Sequence, residues 1–180
     1  MNKPRPFKTL SSRIAYTNPW MQIREDAIIR PDGSEGIYGV IETRDSVVIV
    51  AINDKHEVGF INIFRYPVQK WCWELPGGGG DGQDILEAAS RELKEETGIT
   101  AKQWHILGRT RVGNGMMIEY QASVLARDIT RRKATDTEEG IAGLSFFSLD
   151  RIDAMISSGE IDDGQSLTAL YFYKKWLATQ

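Results

Sequence analysis

Arg91-Glu92-Leu93-Lys94-Glu95-Glu96-Thr97-Gly98-Ile99 places three carboxylates within five residues, beside an arginine and ahead of a glycine. At about 100° per residue, Glu92, Glu95 and Glu96 share roughly a third of a helix circumference, because positions three and four apart are neighbours. Carboxylates that close repel, so an isolated helix gains nothing from the arrangement. A divalent cation removes the conflict: Mg²⁺ takes hard oxygen ligands, keeps several waters and is commonly shared with substrate phosphates. Upstream, Pro76-Gly77-Gly78-Gly79-Gly80-Asp81-Gly82 reads as neither helix nor strand but as a loop that lets backbone approach a ligand. Asp84 is placed to cap a helix carrying Ile85, Leu86, Ala89 and Leu93 at helical spacing, and Gly98 to end it in a left-handed turn. The glycine loop and the acidic face therefore meet at one site.

Gly, five residues, Glu, seven residues, then Arg-Glu-hydrophobic-any-Glu-Glu-any-Gly-hydrophobic is the signature of the Nudix family, and this stretch resembles it. Counted from Gly77, every defined position but one matches, Gln83 standing where the first glutamate belongs. Counted from Gly78, Asp84 takes that place and one residue is missing before Arg91. Both alignments stay open. The resemblance implies that this first acidic position orients the arginine and is not the principal metal ligand.

The 180 residues suffice for a full core, with 41% hydrophobic and 26% charged residues, as in ordinary globular proteins. A net charge of −3 argues against nonspecific binding to nucleic acid or to anionic membrane. Cys72, the single cysteine, has no intrachain disulfide partner, and no apolar run approaches the roughly 20 residues of a membrane span. No signal-peptide core follows the N-terminus, so the expected location is cytoplasmic.

Strands are expected at Arg13 to Tyr16, Trp20 to Ile29 and Gly36 to Glu42, too few to form a core alone. Val47 to Ile52 and Val58 to Tyr66, joined by Asn53-Asp54-Lys55-His56, read as a buried hairpin. Trp71 to Leu75 leads into the glycines. Trp104 to Thr110, Met116 to Ala126 and Ile141 to Ser148 read as strands, Arg127 to Gly140 as a polar, mobile segment, and Leu149 to Ser158 and Ser166 to Leu177 as amphipathic helices. This mixed order fits an α/β fold, specifically an α/β/α sandwich.

The likeness extends beyond the signature. Tyr16-Thr17-Asn18-Pro19-Trp20, Pro31-Asp32-Gly33 with Tyr38, Phe64-Arg65-Tyr66-Pro67-Val68, Glu74-Leu75-Pro76-Gly77-Gly78 and Ile161-Asp162-Asp163-Gly164-Gln165-Ser166-Leu167 resemble the ADP-ribose pyrophosphatase branch, also known for nucleoside diphosphate sugar hydrolysis. That implies a Nudix-type sandwich with a mixed sheet over residues 46–180. It also implies a small N-terminal β-subdomain over residues 1–45 that serves dimerisation and substrate contacts. The implied cofactor is Mg²⁺, with Mn²⁺ as a substitute. The implied partners are a nucleotide-sugar substrate and a second copy in a homodimer.

Glu92 and Glu96 are assigned as metal ligands, Glu95 as a ligand or water-orienting group, and the Gly77 carbonyl as a further ligand implied by the family. Arg91 should hold the glutamates in register through charge-assisted hydrogen bonds. The resemblance puts the general base in Asp136-Thr137-Glu138-Glu139, where Glu138 is favoured over Asp136 and Glu139. Arg65 is a candidate for substrate phosphates or base. Glu119 is a second candidate because a carboxylate in an apolar strand is costly without a partner, and Glu74 has a similar claim. Trp20 is a candidate for stacking on a nucleobase, while His56 and His105 are read as structural. The leading expectation is hydrolysis of ADP-ribose or a related nucleoside diphosphate sugar. The alternatives are a hydrolase of nucleoside triphosphates or dinucleoside polyphosphates, and a ligand-binding module weakened in catalysis.

Overall fold

The computed structural model describes residues 3–132 and 140–180. In chain order the strands are Lys8–Thr17 (β1), Met21–Ile29 (β2), Glu35–Thr43 (β3), Ser46–Ala51 (β4), Val58–Arg65 (β5), Lys70–Glu74 (β6) and Gly77–Gly79 (β7). Helix Ile85–Thr97 (α1) follows, then Ile99–Arg111 (β8), Met117–Ile118 (β9), Tyr120–Arg131 (β10), Ile141–Phe147 (β11), Leu149–Ser158 (α2) and Gly164–Leu177 (α3). The chain divides into two units, Met1–Arg44 with Arg111–Tyr120, and Asp45–Thr110 with Gln121–Gln180.

The first unit is a sheet in the order β1-β2-β3-β9, antiparallel except where Ile41 meets Met117. Its only buried hydrophobic side chain among the described residues is Ile28. The pairing of β1 with β2 is irregular around Leu10 and Ala15, as expected of bulged edge strands.

The second unit holds two sheets, β7-β4-β10-β8 and β11-β5-β6. Strand β4 runs parallel to β10 and antiparallel to β7, which makes its sheet mixed. Side chains alternate across a strand, and β4 uses both faces. Val47, Ile49 and Ala51 join Ala88, Ala89 and Leu93 of α1, while Val48 and Val50, with Ile52 just past the strand, join Ile152 and Met155 of α2 and Leu170 and Tyr173 of α3. Helices thus cover both sides, giving the α/β/α sandwich expected, and a strand buried on both faces reads as an unbroken apolar run.

Three expectations are corrected. Val47 to Ile52 and Val58 to Tyr66 do not form a hairpin: both edges of β4 are already taken by β7 and β10, so β5 turns away into the other sheet, touching at the single bridge Ile52–Val58. Gly77 to Gly79 are strand, not loop, because the absence of side chains lets them lie directly against β4. The segment after Ala126 continues as strand through Arg131, held by Ile129 in the core cluster and by Thr100, whose hydroxyl donates to the Thr130 carbonyl at 3.4 Å.

Candidate active site

Helix α1 begins where the Asp84 carboxylate accepts the Leu86 N–H at 2.9 Å and ends at Gly98, whose φ of 71° suits glycine. Ala88, Ala89 and Leu93 are fully buried and seat the helix on the sheet. That seating carries Glu92 and Glu96, one turn apart, inward as well, leaving them 7% and 3% exposed. The neighbouring β7 meets them with bare backbone. Gly77 N–H donates to Glu96 Oε2 at 2.9 Å, and a side-chain carbon at Gly78 would lie 2.6 Å from the Glu92 carboxyl. A side chain at Gly78 would therefore push the Glu92 carboxylate aside, and one at Gly77 would meet the Val47 backbone carbonyl at 2.3 Å, so glycine is required at Gly77.

Buried carboxylates are costly unless compensated. Arg91 supplies part of the compensation: Nη1 lies 2.9 Å from Glu92 Oε1 and 3.0 Å from Glu95 Oε2. Its Nη2 donates to the Gly79 carbonyl at 2.9 Å, and its Nε to Gln83 Oε1 at 3.0 Å. Partial burial works against the Arg91 charge, but Glu92 and Glu95 more than offset it and raise the guanidinium pKa above its ordinary value. Of the two candidates for the first signature position, Gln83 contacts the arginine, while Asp84 serves as the helix cap.

Among the described residues, no three His, Cys, Asp or Glu side chains converge closely enough to hold a metal by themselves. Glu95 is turned to Arg91 and its side chain is 44% exposed, so the inward set is Glu92 and Glu96. Two carboxylates on a backbone cradle still suit a hard divalent cation, which draws its other ligands from water and phosphate.

Arg65 and Glu74 come together across β5 and β6. Arg65 Nε donates to Glu74 Oε1 at 3.0 Å and to Oε2 at 3.1 Å, and Nη2 to Oε2 at 2.7 Å. The hydrogen bond to Glu74 raises the Arg65 pKa against the cost of burial, and the charges of Glu96 and Asp163 add to the effect. The pair lines a cavity of about 370 Å³ with Gly77, Gly78, Asp163 and Gln165. A neighbouring hollow of about 540 Å³ continues past Lys70 and Asp162. Thus Arg65, Glu74, Gly77, Glu92 and Glu96 belong to one region of the second unit.

Glu119 and Trp20 belong to the first unit. There Glu119 is buried and its Oε2 accepts from the Thr43 hydroxyl at 3.1 Å, whereas Trp20 is 78% exposed. Asp136, Glu138 and Glu139 lie outside the described residues. Sequence reasoning gave no role to Asp163, Gln165, Ser166 or Gln121. The available signal was Asp162-Asp163-Gly164-Gln165-Ser166, a capping run at the start of α3.

Family comparison matches residues 7–41 to the nucleoside diphosphate sugar hydrolase N-terminal domain and residues 42–170 to the NUDIX domain. An ADP-ribose pyrophosphatase of Mycobacterium tuberculosis is 29% identical over 160 residues, spanning 86% of this chain and 77% of that protein. The ADP compounds hydrolase NudE of Escherichia coli is 26% identical over 155 residues, spanning 82% of each. A crystal structure of an ADP compounds hydrolase superposes with a TM-score of 0.87 at 20% identity, over 100% of this chain and 98% of that one.

Proposed function

This chain belongs to the Nudix family, its NUDIX domain spanning residues 42–170, and from that premise we propose that it hydrolyses the diphosphate of ADP-ribose or a related nucleoside diphosphate sugar, yielding a nucleoside monophosphate and a sugar phosphate. The observation that carries this reading is the buried Glu92–Glu96 pair facing the bare backbone of Gly77 and Gly78, with Arg91 tied to both the helix and β7. The relatives named for ADP-ribose and ADP compounds, and the match of residues 7–41 to a nucleoside diphosphate sugar hydrolase segment, support the substrate class.

Nudix hydrolases work with a divalent cation, here read as Mg²⁺ with Mn²⁺ as substitute, which neutralises diphosphate charge and lowers the pKa of a bound water. Glu92 and Glu96 would hold it with the Gly77 carbonyl, and Glu95 would join them or orient water. Arg91 keeps the acidic face in register through charge-assisted bonds. Arg65, presented by Glu74, offers a fixed cation to the diphosphate. Removal of the water proton is assigned to Glu138, with Asp136 and Glu139 as alternatives. Trp20 and Glu119 are read as substrate contacts. The net charge of −3 supports a small-molecule substrate over nucleic acid. No helix of the described residues is long and apolar enough to cross a membrane. The same reading takes the setting as cytoplasmic, where the buried thiol of Cys72 stays reduced.

The test is product analysis after incubating the protein with Mg²⁺ and ADP-ribose, other nucleotide sugars, dinucleoside polyphosphates or nucleoside triphosphates. AMP and ribose phosphate from ADP-ribose, at a higher kcat/KM than any triphosphate, is the expected result. Preference for triphosphates or dinucleoside polyphosphates would replace this reading, and binding without turnover would make the protein a ligand-binding module.

A further inference from the structure

The backbone that carries both Glu74 and Gly77 is pinned from three sides. The Pro76 carbonyl accepts the Ile49 N–H at 2.8 Å from β4, and Gly77 N–H is held by Glu96 of α1. On the third side the Leu75 N–H donates to Ser166 Oγ at 2.9 Å. Leu75 and Ser166 are both buried, at 4% and 1% exposure, so that donor is shielded from water. Pro76 has no N–H, which leaves the Leu75 amide as the segment's donor toward α3.

Ser166 is itself held in place. Its N–H donates to the capping Asp163 carboxylate at 2.7 Å, and Gln121 Nε2, buried in β10, donates to the adjacent Gln165 carbonyl at 2.9 Å. A polar chain thus runs from the central sheet through the first turn of α3 to the strand that presents the site.

We propose that Ser166, held by Asp163 and Gln121, is a positioning residue. It fixes the Glu74–Gly77 segment, and through it both the orientation of Arg65 and the meeting of Gly77 with Glu96. The consequence for turnover rests on the pyrophosphatase reading, whereas the consequence for the segment's order does not. Removing the hydroxyl leaves a buried N–H without its acceptor, so the strand must shift or admit water. Displacement of this kind away from the chemistry lowers turnover by up to about a hundredfold.

The test compares the full-length protein with Ser166→Ala and Ser166→Thr. Hydrogen exchange is followed at peptides covering residues 74–78, and kcat and KM are measured with ADP-ribose and Mg²⁺. In Ser166→Ala, exchange at 74–78 should rise about tenfold more than in the β4 and β10 core, and kcat should fall about tenfold or more with a smaller change in KM. Ser166→Thr, which keeps the hydroxyl, should restore both. If Ser166→Ala does not accumulate as folded protein, Gln121→Met, which removes the donor to Gln165, should show the same local rise in exchange. Unchanged exchange at 74–78, or a rise shared equally by the whole core, would overturn the proposal. A wild type inactive on ADP-ribose would defeat the substrate reading alone, since the exchange result would still decide the role of Ser166.

Discussion

At the scale of the residue, Glu92 and Glu96 differ from the other carboxylates of α1 in being buried against glycine backbone. Glu96→Gln and Glu92→Gln should each lower kcat by about a hundredfold or more, since even residues that only support a metal ligand cost 10–100-fold when lost. Glutamine keeps the volume and an acceptor for the Gly77 N–H, so the fold should survive. Wild-type specific activity in the folded fraction, with only the melting temperature lowered, would make the acidic face structural. Position 83 behaves differently because it touches Arg91 and not the inward carboxylates. Gln83→Glu should change turnover by less than about tenfold, the scale of one partly exposed ion pair. A larger gain would mean that the native site is weakened, and would favour a binding role. Glu92 and Glu96 were legible as one inward face because positions four apart share a side of the helix, whereas the turn of Glu95 to Arg91 was not, since it depends on how α1 is seated. The choice between Gln83 and Asp84 was not, since it depends on the turn through Asp81 and Gly82, both at positive φ. Ser166 was hidden for another reason: its partner Leu75 lies 91 residues away, and no local pattern marks such a pair.

At the scale of the element, the ends of α1 were readable because a capping aspartate and a left-handed glycine act locally. Strands β4 and β5 are the opposite case. Two apolar runs around a short turn look alike whether they pair with each other or part into separate sheets, and only the competition of β7 and β10 for the edges of β4 decides. Pairing also sets an electrostatic feature of the first sheet. Asp26 on β2 lies opposite Ser12 on β1, and the hydroxyl, together with Arg24, holds its carboxyl pKa below the usual range despite partial burial. A depressed folded-state pKa stabilises above the unfolded value, and this stabilisation is lost as pH falls through that value to the folded one. Asp26→Asn should therefore melt below the wild type at pH 7, and the gap should close as pH drops below about 4. Thermal melts at pH 7 and pH 3 check this. A gap of the same size at both would mean that amide geometry, not charge, is responsible.

At the scale of the whole molecule, the first unit has one buried hydrophobic side chain among its described residues, while all ten residues of β1 are exposed. Leu10, Ile14 and Tyr16 on that strand are each about half exposed. β1 also ends its sheet, so one row of its backbone groups has no strand beside it among the described residues. A long edge strand that exposes Leu10, Ile14 and Tyr16, even with Lys8, Arg13 and its bulges to blunt it, is a template for another chain. The occupant expected is a second copy, because a two-fold contact lets the same strand serve both partners and is the commonest closed assembly. Sedimentation at micromolar concentration should therefore find a homodimer. Replacing Leu10 and Ile14 together by lysine puts like charges on both sides of the contact and should give a folded monomer with an unchanged far-ultraviolet circular dichroism spectrum. A wild type that sediments as a monomer would remove β1 as an interface. So would a double variant that stays dimeric, since a contact made through this strand could not bury four lysines in place of its apolar side chains.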